Sequence, residues 1–210
     1  MKACFTRKLA FSEINDHSGP PGKIKIAAAM HRLLETKDFS SITTAEISKQ
    51  SGVNESMIYR YFNDKRGLLH YILAQYLEIS YKGIIDSLNG LEGAVDKLTE
   101  VTRCTFGFYI HNATFAKILF LEVRNFPGYW ESDTYQFVKR YTQLYRQIIE
   151  EGHAAGEIRP DIEKWHVMQA LLGTIEHMVL PSLIFQRPLD VDVCTEAVYK
   201  LVLEGLKGKR

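Results

Sequence analysis

The side chains that could carry out catalysis are few, and the strongest group is a Glu-x-x-His pattern in the C-terminal half. Glu163 and His166 would share one face of a helix, and His177 follows on the same face eleven residues later. In di-iron bundles this pattern occurs twice, together with two further carboxylates, whereas here it occurs once. His177 would stand about 16 Å from His166 along the helix, too far to share a metal ion. We therefore predict neither a metal site nor a cofactor.

Motifs of other enzymes are missing from the sequence, which contains no P-loop, glycine-rich dinucleotide turn or nucleophile elbow. The three cysteines, Cys4, Cys104 and Cys194, are far apart and form no C-x-x-C pair, so we predict neither a disulfide framework nor a zinc site. No apolar run of 18 residues and no signal peptide is evident. We expect a cytoplasmic protein that is not an enzyme and has no membrane partner.

A run of hydrogen-bonding side chains between residues 43 and 65 fits a different chemistry, the binding of nucleic acid. Thr43 can cap a short helix, and Glu46 can reach back to complete a capping box. Gly52 supplies the left-handed residue that ends this helix, and Asn54 is a good N-cap for the next one. Two short helices joined by such a turn form a helix-turn-helix, which predicts a DNA-binding protein.

Neighbouring residues supply a core for these helices. Apolar side chains of the first helix and the turn would face inward, namely Ala45, Ile47 and Val53. Apolar side chains of the second helix would pack against them, namely Met57, Ile58 and Phe62. A cap at Asn63, with Asp64 in the first turn, would open a longer third helix. A helix over about 23–35 precedes the motif, because the Gly-Pro-Pro-Gly run over 19–22 blocks helix before it.

This stretch resembles the DNA-binding domain of the TetR family of bacterial transcriptional repressors, over about residues 23–73. The resemblance rests on the threonine, isoleucine, glycine-valine, tyrosine-x-x-phenylalanine, lysine and leucine signature of that family, here Thr44, Ile47, Gly52-Val53, Ile58-Tyr59-Arg60-Tyr61-Phe62, Lys65 and Leu68-Leu69. Asp38, Ser48 and Tyr61 depart from the usual glycine, alanine and histidine. None of these departures removes a DNA-facing group.

The resemblance implies which residues contact DNA, namely Thr43, Thr44, Asn54, Glu55, Ser56, Tyr59, Arg60, Tyr61 and Lys65. Thr44 would bind a phosphate through its hydroxyl and the helix N-terminus. The residues that face the groove would be Asn54, Glu55, Ser56 and Tyr59, while Tyr61 and Lys65 would bind phosphates beside it. Arg60 would either bind a further phosphate or form a salt bridge within the domain.

Composition and periodicity predict an all-α protein, with an N-terminal three-helix helix-turn-helix domain followed by a larger helical domain. The 210 residues are 46% hydrophobic and carry a formal net charge of +1, which suits two small domains. We predict a flexible extension over 1–22, a DNA-binding domain over 23–81 and an effector-binding and dimerisation domain over 82–210. Arg7 and Lys8 in the extension would either be mobile or follow the DNA minor groove.

Helical segments are expected over 91–111, 113–124, 129–155, 162–186 and 190–207. In the TetR family the last two helices form a four-helix bundle with the same pair from a second subunit. Their apolar stripes exceed what one partner helix can cover, although part of each stripe would also serve the internal core. The resemblance thus implies a homodimer that reads a palindromic, double-stranded DNA operator.

The larger domain is rich in aromatic residues, as small-molecule pockets are, and it also carries polar groups within apolar runs. The candidate effector contacts are Phe106, Tyr109, Phe120, Arg124, Trp130, Tyr141, His166, Glu176 and His177. Most aromatic residues would simply be core. The Glu-Val-Arg run over 122–124 is similar to one in TetR relatives that sense fatty acyl thioesters, which favours a lipophilic, acyl-bearing effector. The expected function is a homodimeric repressor released by that effector, and the alternative is an architectural DNA binder without a ligand.

Overall fold

The computed structural model describes residues 5–14 and 19–207, and these ranges are helical. The α-helices are α1 (Phe11–Ile14), α2 (Pro21–Leu34), α3 (Thr44–Ser51), α4 (Ser56–Phe62), α5 (Lys65–Leu88), α6 (Ala94–His111), α7 (Ala113–Ile118), α8 (Asp133–Ala154), α9 (Lys164–Phe185), α10 (Val191–Val198) and α11 (Glu204–Leu206). Turns of 3₁₀-helix cover Phe39–Ser41 and Pro127–Glu131, and π-helical turns cover Leu119–Val123 and Tyr199–Leu203. Within the two ranges, β-pairing is limited to a bridge between Ile158 and Lys207. The all-α prediction is confirmed.

Part of the segment that precedes α2 packs against other residues of the protein. Helix α2 begins at Pro21 rather than at residue 23, because proline fits the first helical turn, where its missing N–H is not needed. In the predicted flexible extension, Leu9 and Ile14 are buried, and the ring of Phe11 meets that of His31 edge-on at 4.9 Å. Residues 1–4, which include Cys4, and residues 15–18 lie outside the described ranges.

One compact unit comprises residues 9–79 together with 118–137. Its core is built from fully buried aliphatic side chains of α2 to α5, chiefly Ile26, Met30, Ile47, Ile58, Leu68 and Leu69. The segment 118–137 contains the π-helical turn and the second 3₁₀ turn and packs with this unit, far from it in sequence. The helix-turn-helix therefore shares its unit with a segment that the sequence assigned to the C-terminal domain.

A second compact unit contains residues 80–117 and 138–207, with the described residues 5–8. Its loop over 152–161 is folded tightly back on itself, since the backbone N–H groups of Glu157 and Ile158 both donate to Gly152 O. The carboxylate of Glu157 accepts from Ala94 N at 2.6 Å and so caps α6. Gly156, at φ +72°, supplies the left-handed residue that this turn requires.

Helix α9 belongs to this unit and is unusually apolar. By length and composition α9 could cross a membrane, but the core helix of a soluble protein meets the same two criteria. Only 33% of its most apolar 18-residue window is buried within the described part of the chain. Its buried stripe consists of Val167, Met168, Leu171, Ile175, Val179 and Leu183. Much apolar surface of α9 is consequently left uncovered by the rest of the chain.

Candidate DNA interface and effector region

The N-terminus of α3 is capped as the sequence predicts. Thr43 Oγ1 accepts a hydrogen bond from Glu46 N at 3.1 Å, which satisfies one of the backbone N–H groups left open at a helix start. The carboxylate of Glu46 does not complete the predicted capping box, because it pairs with Lys37 Nζ. Ala45 was expected to face the core but is exposed, and Phe39 and Ile42 provide the buried contacts of this region.

The turn between α3 and α4 is fixed by short-range hydrogen bonds. Gly52 adopts φ +68° as predicted, and Ser48 Oγ donates to Val53 O at 2.7 Å. Asn54 Oδ1 then accepts from both the backbone N–H (2.9 Å) and the hydroxyl (2.8 Å) of Ser56. The cap predicted at Asn54 is thus confirmed, and it orders the first turn of α4.

The start of α5 differs from the prediction. Asn63 was expected to cap this helix, but it lies at φ +67° and ends α4. Asparagine tolerates the left-handed region better than most residues, which explains its place at this corner. The cap is Asp64, whose Oδ1 accepts from Gly67 N at 2.6 Å.

The residues assigned to DNA contact all lie between Thr43 and Lys65 in the chain and differ in exposure. Thr43, Asn54, Ser56, Tyr59 and Arg60 are exposed, and half of Tyr59 (52%) is open to solvent although its neighbour Ile58 is fully buried. A second group is half-buried, namely Thr44, Glu55, Tyr61 and Lys65. Arg60 forms no ion pair with any residue of the described ranges, so its guanidinium is available to a phosphate. The DNA contacts themselves stay a prediction.

Lys65 has an internal role that the sequence did not indicate. Its Nζ donates to Phe39 O at 2.9 Å and Ile42 O at 2.6 Å, and it lies 4.3 Å from the centroid of the Phe39 ring. Burial, followed by the neighbouring charge of Arg66, lowers the pKa of this ammonium. Two of its three N–H donors therefore hold the chain before α3, and one is left for a phosphate.

The effector candidates are distributed over both compact units. In the C-terminal unit, Phe106 is fully buried and Tyr109 is half-buried. Tyr141 OH contacts Thr105 Oγ1 and lies 3.1 Å from Tyr145 OH. Burial raises the pKa of Tyr141 and raises that of Tyr145 to about 12. These hydroxyls form one hydrogen-bonded group inside the C-terminal unit.

The histidines of α9 that were candidate effector contacts are exposed to solvent. His166 and His177 are exposed and Glu176 is half-buried, because the buried stripe of the helix runs through other positions. In the described ranges no group of three or more His, Cys, Asp or Glu side chains is arranged to hold a metal ion.

Three further effector candidates lie in the N-terminal unit. Phe120 is buried, and the guanidinium of the exposed Arg124 lies 4.8 Å from the centroid of its ring. Trp130 was expected inside but is 64% exposed, with its ring 4.8 Å from that of Tyr135. This segment is held to α5 by two pairs, Arg66 with Glu122 and His70 with Thr134. The sequence singled out only Glu122 of these residues, because the partners are far apart in the chain.

Comparison with known sequences supports a helix-turn-helix domain followed by a helical C-terminal domain. Residues 26–72 match the family described as bacterial regulatory proteins, tetR family, and residues 74–205 match the C-terminal region of YsiA-like proteins. The chain belongs to the tetR family. It is accordingly a transcriptional regulator with a DNA-binding helix-turn-helix, and the members of this family to which it is similar are regulators rather than enzymes.

Relatives of this tetR-family chain extend over nearly its whole length. A fatty acid metabolism regulator protein of Bacillus subtilis is 22% identical over 189 residues, which are 90% of this chain and 97% of the relative. The structure of FadR from the same organism in complex with stearoyl-CoA superposes with a TM-score of 0.77 at 21% identity, covering 87% of this chain and 98% of that one. FadR of Bacillus halodurans, a fatty acid degradation regulator, gives 0.77 at 20% identity, with coverages of 91% and 100%. Both FadR structures share the fold of this chain.

Proposed function

We propose that this regulator is a homodimeric repressor that acts in the cytoplasm, binds a palindromic operator and is released by a lipophilic, acyl-bearing effector. In this proposal residues 23–81 bind DNA and residues 82–210 provide dimerisation and most of the effector site. The observation that carries the proposal is the outer face of α4, a capped helix whose exposed side chains have hydrogen-bonding groups while Ile58 and Phe62 anchor its inner face.

The dimer is supported by the uncovered surface of the last long helices. Exposed positions form a stripe along α9 at helical spacing, including Ala170, Gly173, His177 and Ile184. An added Cβ at Gly173 would meet no atom within 4 Å, so a second helix could approach this point closely. On the α10 side, Val193 and Leu201 are 63% and 77% exposed. Such apolar surface is typical of an interface between subunits.

The acyl-bearing effector is supported by the relative that was solved with stearoyl-CoA and by the aromatic content of the effector region. Exposed Arg124, stacked on Phe120, offers a cation for an anionic group of such a ligand. Binding would change DNA affinity by a coupling of about 1–3 kcal/mol. An architectural DNA binder would show no such change, so the effector assay separates the two functions.

The first test of this proposal is selection of bound sequences from a random DNA pool, followed by titration of stearoyl-CoA into the complex. We expect a motif with two half-sites and loss of DNA binding on addition of the thioester. Gly173→Arg should shift the protein to monomer in sedimentation and lower operator affinity, whereas exposed Ala155→Arg, which lies off the α9 stripe, should do neither. A monomeric wild-type protein, or DNA binding that is indifferent to stearoyl-CoA and stearate, would contradict the corresponding part of the proposal.

A further inference from the structure

The first two turns of α5 carry a partly buried polar cluster that the DNA interface does not use. The guanidinium of Arg66 lies 4.2 Å from the centroid of the Phe126 ring and 5.1 Å from that of Phe39, and its NH2 is 3.3 Å from Glu122 Oε1. One turn later, His70 Nδ1 is 2.8 Å from Thr134 Oγ1. All of these residues belong to the N-terminal compact unit, so the cluster joins α5 to the segment 118–137.

Two nitrogen atoms of this cluster are buried and have no hydrogen-bond partner, namely Arg66 NH1 and His70 Nε2. His70 is only 8% exposed. The two residues are four apart on one helix, so they lie on the same face of α5. Buried polar groups in folded proteins are almost always hydrogen-bonded, and an unsatisfied donor typically costs about 1–3 kcal/mol. Two on one face therefore indicate a site for an external hydrogen-bonding group.

The chemistry of the cluster limits which ligand groups can bind there. Guanidinium nitrogens only donate, so the ligand atom at Arg66 must be an acceptor. Glu122 already balances the charge of Arg66, so the site does not require a multiply charged ligand. The rings of Phe39 and Phe126 border the guanidinium with apolar surface. An oxygen of a carbonyl or carboxylate attached to a lipophilic chain satisfies all three conditions.

We propose that Arg66 NH1 and His70 Nε2 bind the acyl oxygen of the effector, either the carbonyl of a long-chain thioester or the carboxylate of a free fatty acid. This inference rests on the proposed effector class and adds the residues that recognise it. Its consequence is mechanical, because α4 ends at Phe62 and α5 begins at Lys65. A ligand held by Arg66 and His70 would act on α5, which directly follows α4, the helix proposed to read DNA.

The test uses the full-length protein and two ligands, stearoyl-CoA and stearate, with binding followed by calorimetry. His70→Asn keeps a polar atom near Nδ1 and loses the one at Nε2, whereas His70→Gln keeps an amide nitrogen near Nε2. We expect H70N to weaken binding about tenfold, as for the loss of one buried hydrogen bond, and H70Q to stay close to wild type. Arg66→Lys, which keeps the charge beside Glu122 but loses NH1, should weaken binding to a similar degree.

His153→Asn is the matched control, since its Nε2 is also buried without a partner but belongs to the other compact unit; it should bind as wild type does. Loss of affinity for stearoyl-CoA alone would identify the thioester carbonyl, and loss for stearate would identify the carboxylate. Should Arg66→Lys fail to fold by circular dichroism, the His70 pair decides alone. If wild type binds a ligand and H70N binds it with the same affinity, the inference is overturned and the proposed function still stands. If wild type binds neither ligand, both the inference and the proposed function are overturned.

Discussion

The two sides of α5 are stabilised in different ways. On one side, the helix caps and the turn of the helix-turn-helix are formed by hydrogen bonds between residues at most five apart, such as Thr43 with Glu46 and Ser48 with Val53. On the other side, the segment 118–137 is held by pairs that are 56 and 64 residues apart, Arg66 with Glu122 and His70 with Thr134. We expect the local caps to preserve the shape of the DNA-reading surface even when the long-range polar pairs separate.

The largest expected effect is on the core of the helix-turn-helix. Ile58→Ala removes a fully buried side chain and should lower the free energy of unfolding by about 2–5 kcal/mol, with loss of binding to all DNA sequences. Urea denaturation measures the first and a gel shift the second. Its control is Tyr59→Ala next to it, which should change stability by less than about 0.5 kcal/mol but alter the preferred sequence. Equal stability losses in the two variants would contradict the assigned faces of α4.

A smaller loss of stability is expected when the ammonium of Lys65, which holds the chain before α3, is removed. Lys65→Met removes the side-chain donor of Ile42 O and one of the two donors of Phe39 O, which also accepts from Ile42 N, and should cost about 1–3 kcal/mol in chemical denaturation. The same change should weaken binding to operator and random DNA alike if the remaining N–H donor binds a phosphate. A variant as stable as wild type would show that these carbonyls do not depend on Lys65.

Loss of the N-terminal cap of α3 should lower the free energy of unfolding by about 1 kcal/mol. Thr43→Ala removes the oxygen that accepts from Glu46 N and should lower the thermal unfolding temperature accordingly, while Thr43→Ser keeps the cap and should not. If alanine and serine lower it equally, the methyl group rather than the hydroxyl of Thr43 is what matters.

The smallest expected effect concerns the contact between His70 of α5 and the segment 118–137. It is a loss of stability that we expect only at acidic pH. Burial, with a further contribution from Arg66, lowers the pKa of His70 below its ordinary 6.5, while Asp133 and Asp64 oppose the shift. The unfolded chain therefore binds this proton first, and stability should fall as the pH drops below 6.5. The difference in unfolding temperature between pH 7.5 and pH 5.5 should be smaller in His70→Asn than in wild type. An identical difference would show that His70 does not sense the proton.

The sequence predicts local features of this protein well, because a cap or a left-handed glycine depends on residues a few positions apart. Thr43, Gly52 and Asn54 were found in this way. Asp64 caps α5 in place of Asn63, which ends α4, since both are good capping residues and only the backbone angle at the corner decides between them. The contacts of Arg66 and His70 with the segment 118–137 leave no periodic signal, because they depend on how distant elements pack. The exposure of Trp130, His166 and His177 was missed for the same reason.

The hydrogen bond between Ser56 and Asn54 limits what α4 can distinguish in DNA. Ser56 Oγ donates its proton to Asn54 Oδ1 at 2.8 Å, so its outward lone pairs can only accept. In the major groove the donors are the amino groups of cytosine N4 and adenine N6, while guanine offers only acceptors at N7 and O6. In the proposed complex Ser56 would therefore select an amino-bearing base, and Asn54→Ala would free the hydroxyl proton and relax that choice.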